Sequence, residues 1–276
     1  MKVLVTGKGT SGSWQIRGVQ LGAALGARVE PLATAGDADV VVGVKRLPDQ
    51  LLAGLRGRPL VWDVVDAWPQ PEGNDWSGRF CRRWLHKEVA RVRPAAFIAA
   101  TAKMADDLRE FDLPVLYLPH HHRPGIAKNP IRETVRAVGY EGGVDYILPW
   151  QRSIEAACRR IGAVFVINPP TLAEVDVVLA LRGSTGYAPR NWKSGVKLAN
   201  AHGSGTPWIG GREAGYLEMS RGAEYWADSP QELETALEWL LPRSNRQAVA
   251  DRFLQCAFTV EMAAEKLRAF LCTLRS

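Results

Sequence analysis

Residues 2–14 read KVLVTGKGTSGSW: a short β-branched run, glycines at 7, 9 and 12, and then the start of an apolar helical pattern. A GxGxxG spacing that follows a strand and opens a helix permits a tight turn and brings backbone N–H groups close to a phosphate. Gly7, Gly9 and Gly12 are therefore candidate ligand-loop residues. Working outward, Trp14, Val19, Leu21 and Leu25 predict a helix over 13–25. The runs at 2–6, 40–44, 59–65, 95–100 and 115–119 predict strands, with further helices over 78–92 and 102–111. Strands alternating with helices predict a parallel sheet covered on both faces.

The segment PHHHRPGIAKNP (119–130) holds three prolines and no apolar periodicity, which predicts a linker. Beyond it the same pattern recurs, with strands at 134–140, 163–167, 175–181, 207–209 and 223–227. Helices are predicted near 150–161, 193–203, 213–220, 230–241 and 245–273. The expected fold is α/β: two Rossmann-like domains, 1–125 and 126–245, facing across a cleft, with 246–276 a helix packing back across both. Ligand is expected outside the carboxyl ends of the strands. The first glycine motif also suits an NAD-dependent oxidoreductase, with Glu30 standing where a ribose-binding acid would.

With 276 residues, 46% hydrophobic and 23% charged, the chain is long enough for two cores and too apolar for disorder. Its four cysteines stand singly, which argues against a disulfide framework or a zinc knuckle. No apolar run reaches about 18 residues, so a cytoplasmic protein is expected, with attachment to a membrane surface as the alternative. The net charge is +6, and residues 1–130 carry 18 basic against 13 acidic side chains. Arg79, Arg82, Arg83, His86 and Lys87 fall on one face of the helix predicted at 78–92. Trp68 and Trp76 in the loop before it are expected to be exposed. Basic residues beside aromatic rings suit a polyanion with stackable bases, so Arg79, Arg82, Arg83, Lys87, Trp68 and Trp76 are candidate acceptor-binding residues.

In the second half, Gly139, Gly142 and Gly143 close the first strand, and APRNWKSGVKLANAHGSGTPWIGG (188–211) sets Lys193 and Lys197 four residues apart. On a continuous helix these lysines share a face near its N-terminus, a setting for a diphosphate. His120, His121 and His122 are adjacent in an extended segment and point in alternating directions, which argues against a shared metal.

The run Lys193-Ser194-x-x-Lys197-Leu198-Ala199-Asn200-Ala201 through Gly205-x-Pro207 resembles the donor-binding segment of GT-B-fold glycosyltransferases of the group 1, glycogen-phosphorylase-like kind. LVWDVVDAW (60–68), AAFIAATAKMADDL (95–108) and VLYLPHHHRPG (115–125) follow the order of that family's other motifs. The resemblance implies a hexosyltransferase with a nucleotide-sugar co-substrate, a UDP-sugar such as UDP-glucose, and no required metal. It assigns the acceptor to the first domain and the donor to the second. Lys193 and Lys197 would contact the donor diphosphate, Gly142 and Gly143 its phosphate or sugar, and Ser194 and Asn200 lie in the same segment. Asn200 replaces a carboxylate of the family pattern, and Trp192 replaces another eight residues earlier. An inverting course needs a base near the acceptor hydroxyl, for which Asp63, Asp66 and His120 are candidates. The lead acceptor is a hydroxymethylated base flipped out of DNA. A lipid-linked or polysaccharide acceptor at the membrane surface is the alternative, and a non-catalytic nucleotide-binding module a further one. No obligate protein partner is expected.

Overall fold

The structure is a computed structural model describing residues 1–55, 57–183 and 185–274. The chain forms two compact units: Met1–His120 with Thr185–Ser194 and Thr259–Ser276, and His121–Ser184 with Gly195–Phe258.

The first unit holds six parallel strands: β1 (Val3–Gly7), β2 (Arg28–Val29), β3 (Val40–Val44), β4 (Leu60–Asp63), β5 (Ala96–Ala99) and β6 (Val115–Tyr117). Their order is β2-β1-β3-β4-β5-β6. Val40–Val44 and Leu60–Asp63 are buried along their whole length, as strands covered on both faces must be. The second unit repeats the design with β7 (Ala137–Tyr140), β8 (Val164–Ile167), β9 (Val177–Ala180), β10 (Trp208–Gly210) and β11 (Tyr225–Trp226), ordered β11-β10-β9-β7-β8. In both units the first strand lies between the second and the third. The order reverses there, and loops leaving the carboxyl ends of β1 and β3, or of β7 and β9, have room for a ligand.

Three predicted helices differ in form. Over Trp14–Gln20 the helix is wound as a π-helix before returning to α geometry at Leu21–Leu25. Gly18 allows this close winding, since a Cβ there would lie 2.5 Å from the Trp14 ring. The helix expected over 193–203 runs instead from Val196 to Ser204, after a separate short helix at Tyr187–Asn191. The long helix expected over 245–273 is broken into Arg243–Gln255 and Val260–Thr273. Val260–Thr273 packs on Leu21–Leu25 in the first unit, where Arg268 donates to the Leu25 carbonyl. Arg243–Gln255 packs on Val196–Ser204 in the second, held by the buried Arg246, which donates to the carbonyls of Leu240 and Arg132.

The segment Thr185–Ser194 is tied into the first unit by the buried carboxylate of Asp107. It accepts from the Tyr187 hydroxyl and Trp192 Nε1, each at 2.8 Å, and from Lys103 at 2.6 Å. Gly186 donates to the Asn74 carbonyl, and a Cβ at Gly186 would lie 2.1 Å from that oxygen, so no larger residue fits.

In the second unit Glu224 accepts from the backbone of Arg221, Gly222 and Ala223, from Ser220 Oγ, and from His202 Nε2 at 2.9 Å. Burial favours its neutral form, but these donors outweigh burial and hold its pKa at about 2. A lowered pKa stabilises the fold above the unfolded value of 4.5, and that contribution is lost as pH falls toward 2. Glu224→Gln is expected to cost about 1–3 kcal/mol at neutral pH and to abolish that part of the acid dependence, read by urea unfolding between pH 2 and 7.

Candidate functional site

In the first unit the strand ends at the order reversal bring together the glycine loop, Lys45 after β3, and Asp66 after β4. Gly7 lies against β3, where a Cβ would meet the Val44 carbonyl at 2.9 Å, and Gly9 has a φ of 84° beside Pro31. A Cβ at Gly12 would meet nothing within 4 Å. Lys45 and Val65 adopt φ values of 63° and 48°, left-handed conformations that are costly for non-glycine residues, most of all for a β-branched one. Arg46 braces this turn by donating to the carbonyls of Ala67 and Trp68.

Asp66 is held from several sides. Lys45 Nζ lies 2.8 Å from one oxygen and Lys193 Nζ 2.7 Å from the other, and the Ser13 hydroxyl donates at 3.1 Å. Burial would raise its pKa, but the two ammonium charges dominate and hold it well below the usual carboxylate range. A carboxylate so stabilised is a weak base. Asp63, fully buried, pairs with Arg17 at 3.3 Å, and Arg17 also donates to the Leu118 carbonyl. Burial is the main influence on Asp63 and pushes its pKa up to about 6, with Arg17 pulling it back. His120 is buried after β6.

The two lysines differ from the sequence expectation. Lys193 precedes the helix Val196–Ser204 instead of sharing its face with Lys197, and it belongs to the first unit, 5.5 Å above the Trp68 ring. Trp68 is correspondingly buried, not exposed, because Trp192 and Lys193 cover it; the Trp68 and Trp192 rings lie 6.3 Å apart. Ser194, also buried, ends the same segment, and Trp76 is half-buried.

Lys197 lies in the second unit at the start of its helix, 3.9 Å from the centre of the Tyr140 ring. A Cβ at Gly142 would stand 3.3 Å from Lys197 Nζ, so the glycine, at φ 139°, makes room for the ammonium group. Gly142 exchanges hydrogen bonds with the Asn168 side chain, and Gly143 accepts from the Tyr140 hydroxyl. Asn200 is buried, and its oxygen accepts from the Arg123 backbone at 3.0 Å. Its amide nitrogen lies 3.4 Å from Glu141, a carboxylate at the end of β7 that also pairs with Arg123. Arg182, just after β9, pairs at 2.7 Å with Glu213. Sequence reading missed Lys45, Glu141 and Arg182; each directly follows a strand or comes within two residues of its end, which is the signal that marks them.

The basic helix Gly78–Val92 has Arg79, Arg82, Arg83, His86 and Lys87 exposed and Cys81, Leu85 and Val92 buried. Phe80 is 55% exposed, with the Arg83 guanidinium 5.4 Å from its ring centre. Among the described residues no group of three or more His, Cys, Asp or Glu side chains is placed to hold a metal ion. Among the described residues no helix is long and apolar enough to cross a membrane.

No protein-family model and no curated protein matches the chain. Solved structures do match. Anabaena Alr3699/HepE in complex with UDP and glucose superposes with a TM-score of 0.64 at 13% identity, covering 99% of this chain and 100% of that one. The lipopolysaccharide outer core galactosyltransferase WaaB gives 0.58 at 10%, covering 99% of each. UDP-GlcNAc 2-epimerase from Neisseria meningitidis, bound to UDP-GlcNAc, gives 0.55 at 10%, covering 99% and 100%. Two longer chains are matched over 57% and 55% of their length. The fold is that of the GT-B glycosyltransferases.

The Asp63–Arg17 pair makes a pH-dependent prediction. A pKa of about 6 against 3.8 means Asp63 contributes stability below about pH 4 that is lost as pH rises through 6. Without the guanidinium, an ionised Asp63 is buried unpaired. Arg17→Met is therefore expected to destabilise by about 3 kcal/mol or more at pH 8 and by clearly less at pH 5, measured by denaturant unfolding at the two pH values.

Proposed function

We propose that this protein is a glycosyltransferase that moves a hexose from a UDP-sugar to an acceptor hydroxyl. The carrying observation is the second unit's Lys197–Gly142–Gly143 arrangement, a cation beside solvent-exposed glycines at the strand-order reversal, within a fold shared with proteins solved with UDP-containing ligands. In this reading Lys197 neutralises the departing diphosphate, and Asn200 with Glu141 offers hydrogen-bonding partners for donor hydroxyls. Asp66 aligns Lys45 and Lys193, which leaves His120 as the proposed base. A shared fold also accommodates epimerase chemistry, so transfer itself is the point under test.

We infer a polyanionic acceptor, with a hydroxymethylated base in DNA as the specific case. The support is the exposed basic face of Gly78–Val92 together with the exposed Phe80 ring. A lipid-linked acceptor is favoured less, because the helix's apolar face is committed to the core and cannot enter a bilayer. Loss of Trp68 from the surface removes one stacking platform, which shifts the weight of binding to phosphate contacts.

Incubating the protein with a pool of UDP-sugars and hydroxymethylcytosine-containing or plain duplex DNA, followed by nucleoside mass spectrometry, is expected to give a hexose mass gain on the modified base alone. No gain with the sugars intact would sink the DNA reading. Lys197→Ala is expected to weaken UDP binding about tenfold or more in calorimetry, as loss of a charge-assisted phosphate contact would. Replacing Arg79, Arg82 and Arg83 with Gln is expected to leave UDP binding unchanged and to reduce the salt dependence of DNA binding.

A further inference from the structure

Lys45 and Lys193 meet on Asp66 in the first unit, so two ammonium groups face one carboxylate. Arg17, Lys45, Lys193 and Arg46 gather there against the two carboxylates Asp63 and Asp66, and Arg46 is taken up by carbonyl groups. The side chains of Lys45, Lys193 and Asp66 are only 20%, 17% and 12% exposed, so water compensates the surplus poorly. The Lys45 ammonium has three N–H donors, of which Asp66 takes one.

Two further observations locate the open side. The turns that deliver Lys45 and Asp66 contain left-handed Lys45 and Val65, and such strain persists where surrounding structure enforces a geometry. Gly12, next to the Ser13 that donates to Asp66, faces open space, whereas Gly7 and Gly9 are required by their neighbours. Gly12 is thus the loop glycine that packing does not explain, and the residue after it bonds the carboxylate on which the lysines meet.

We propose that Lys45 and Lys193, aligned by Asp66, form an anion subsite in the first unit that seats a phosphate group of the acceptor, separate from the donor site at Lys197. A phosphate, with more oxygens than a carboxylate, can engage both ammonium groups at once. The assignment of this phosphate to the acceptor rests on the transferase reading above; the subsite itself does not.

The test is calorimetric titration of the full chain with inorganic phosphate in the presence of UDP, and separately with UDP, for wild type, Lys45→Met, Lys45→Arg and Gly12→Val, with melting curves for each. Expected is saturable phosphate binding that weakens about tenfold or more in Lys45→Met and in Gly12→Val, with Lys45→Arg close to wild type and UDP affinity unchanged throughout. Gly12→Val keeps every charge, so its loss would reflect the open space. Phosphate binding that is absent in wild type, or equal in wild type and Lys45→Met, would overturn the subsite. Parallel loss of UDP and phosphate in Lys45→Met would overturn its separateness and assign the lysines to the donor. Lysine-dependent phosphate binding in a protein that binds no UDP would support the subsite while removing the transferase reading.

Discussion

The buried carboxylate of Asp107 determines much of the first unit. With Tyr187, Trp192 and Lys103 donating to it, the segment Thr185–Ser194 is held against the helix Ala102–Leu108, which lies far from it in sequence. A buried carboxylate without partners is costly, and these three donors together offset that cost. Trp192 then covers Trp68, and Lys193 is delivered to Asp66. One buried acid thus accounts for the burial of an aromatic ring and for the position of a lysine.

The electrostatics of Asp63 and Asp66 show how environment divides two similar groups. Three residues apart at the end of one strand, they receive opposite shifts: burial dominates at Asp63, while two ammonium charges overcome burial at Asp66. Neither is an ordinary carboxylate. Asp63 braces the backbone through Arg17, and Asp66 is a fixed negative charge that orders cations. Two carboxylates on one strand end are thus set apart by their neighbours, one by a guanidinium and one by a pair of ammonium groups.

Much of the architecture was legible in the sequence. Strands at 2–6, 40–44, 95–100 and 163–167, and the basic helix at 78–92, are found within a residue or two of their predicted limits, because continuous β-branched runs and a 3.6-residue repeat report local geometry directly. The glycines at 7, 9 and 142 also declared themselves, since left-handed or crowded backbone leaves little choice of residue.

What the sequence determined by itself was the α/β pattern, the two-fold repetition of that pattern and the basic face of one helix, each a property of neighbouring residues. Only the tertiary structure decided that Lys193 and Lys197 part company, that Trp68 is covered, and that Glu141 stands beside Asn200. Those outcomes depend on contacts between residues tens of positions apart, such as Asp107 with Trp192 or Asp66 with Lys193. Periodicity carries no information about such pairs, because it records which face of an element is apolar and not what that face, or the loop beyond it, will meet.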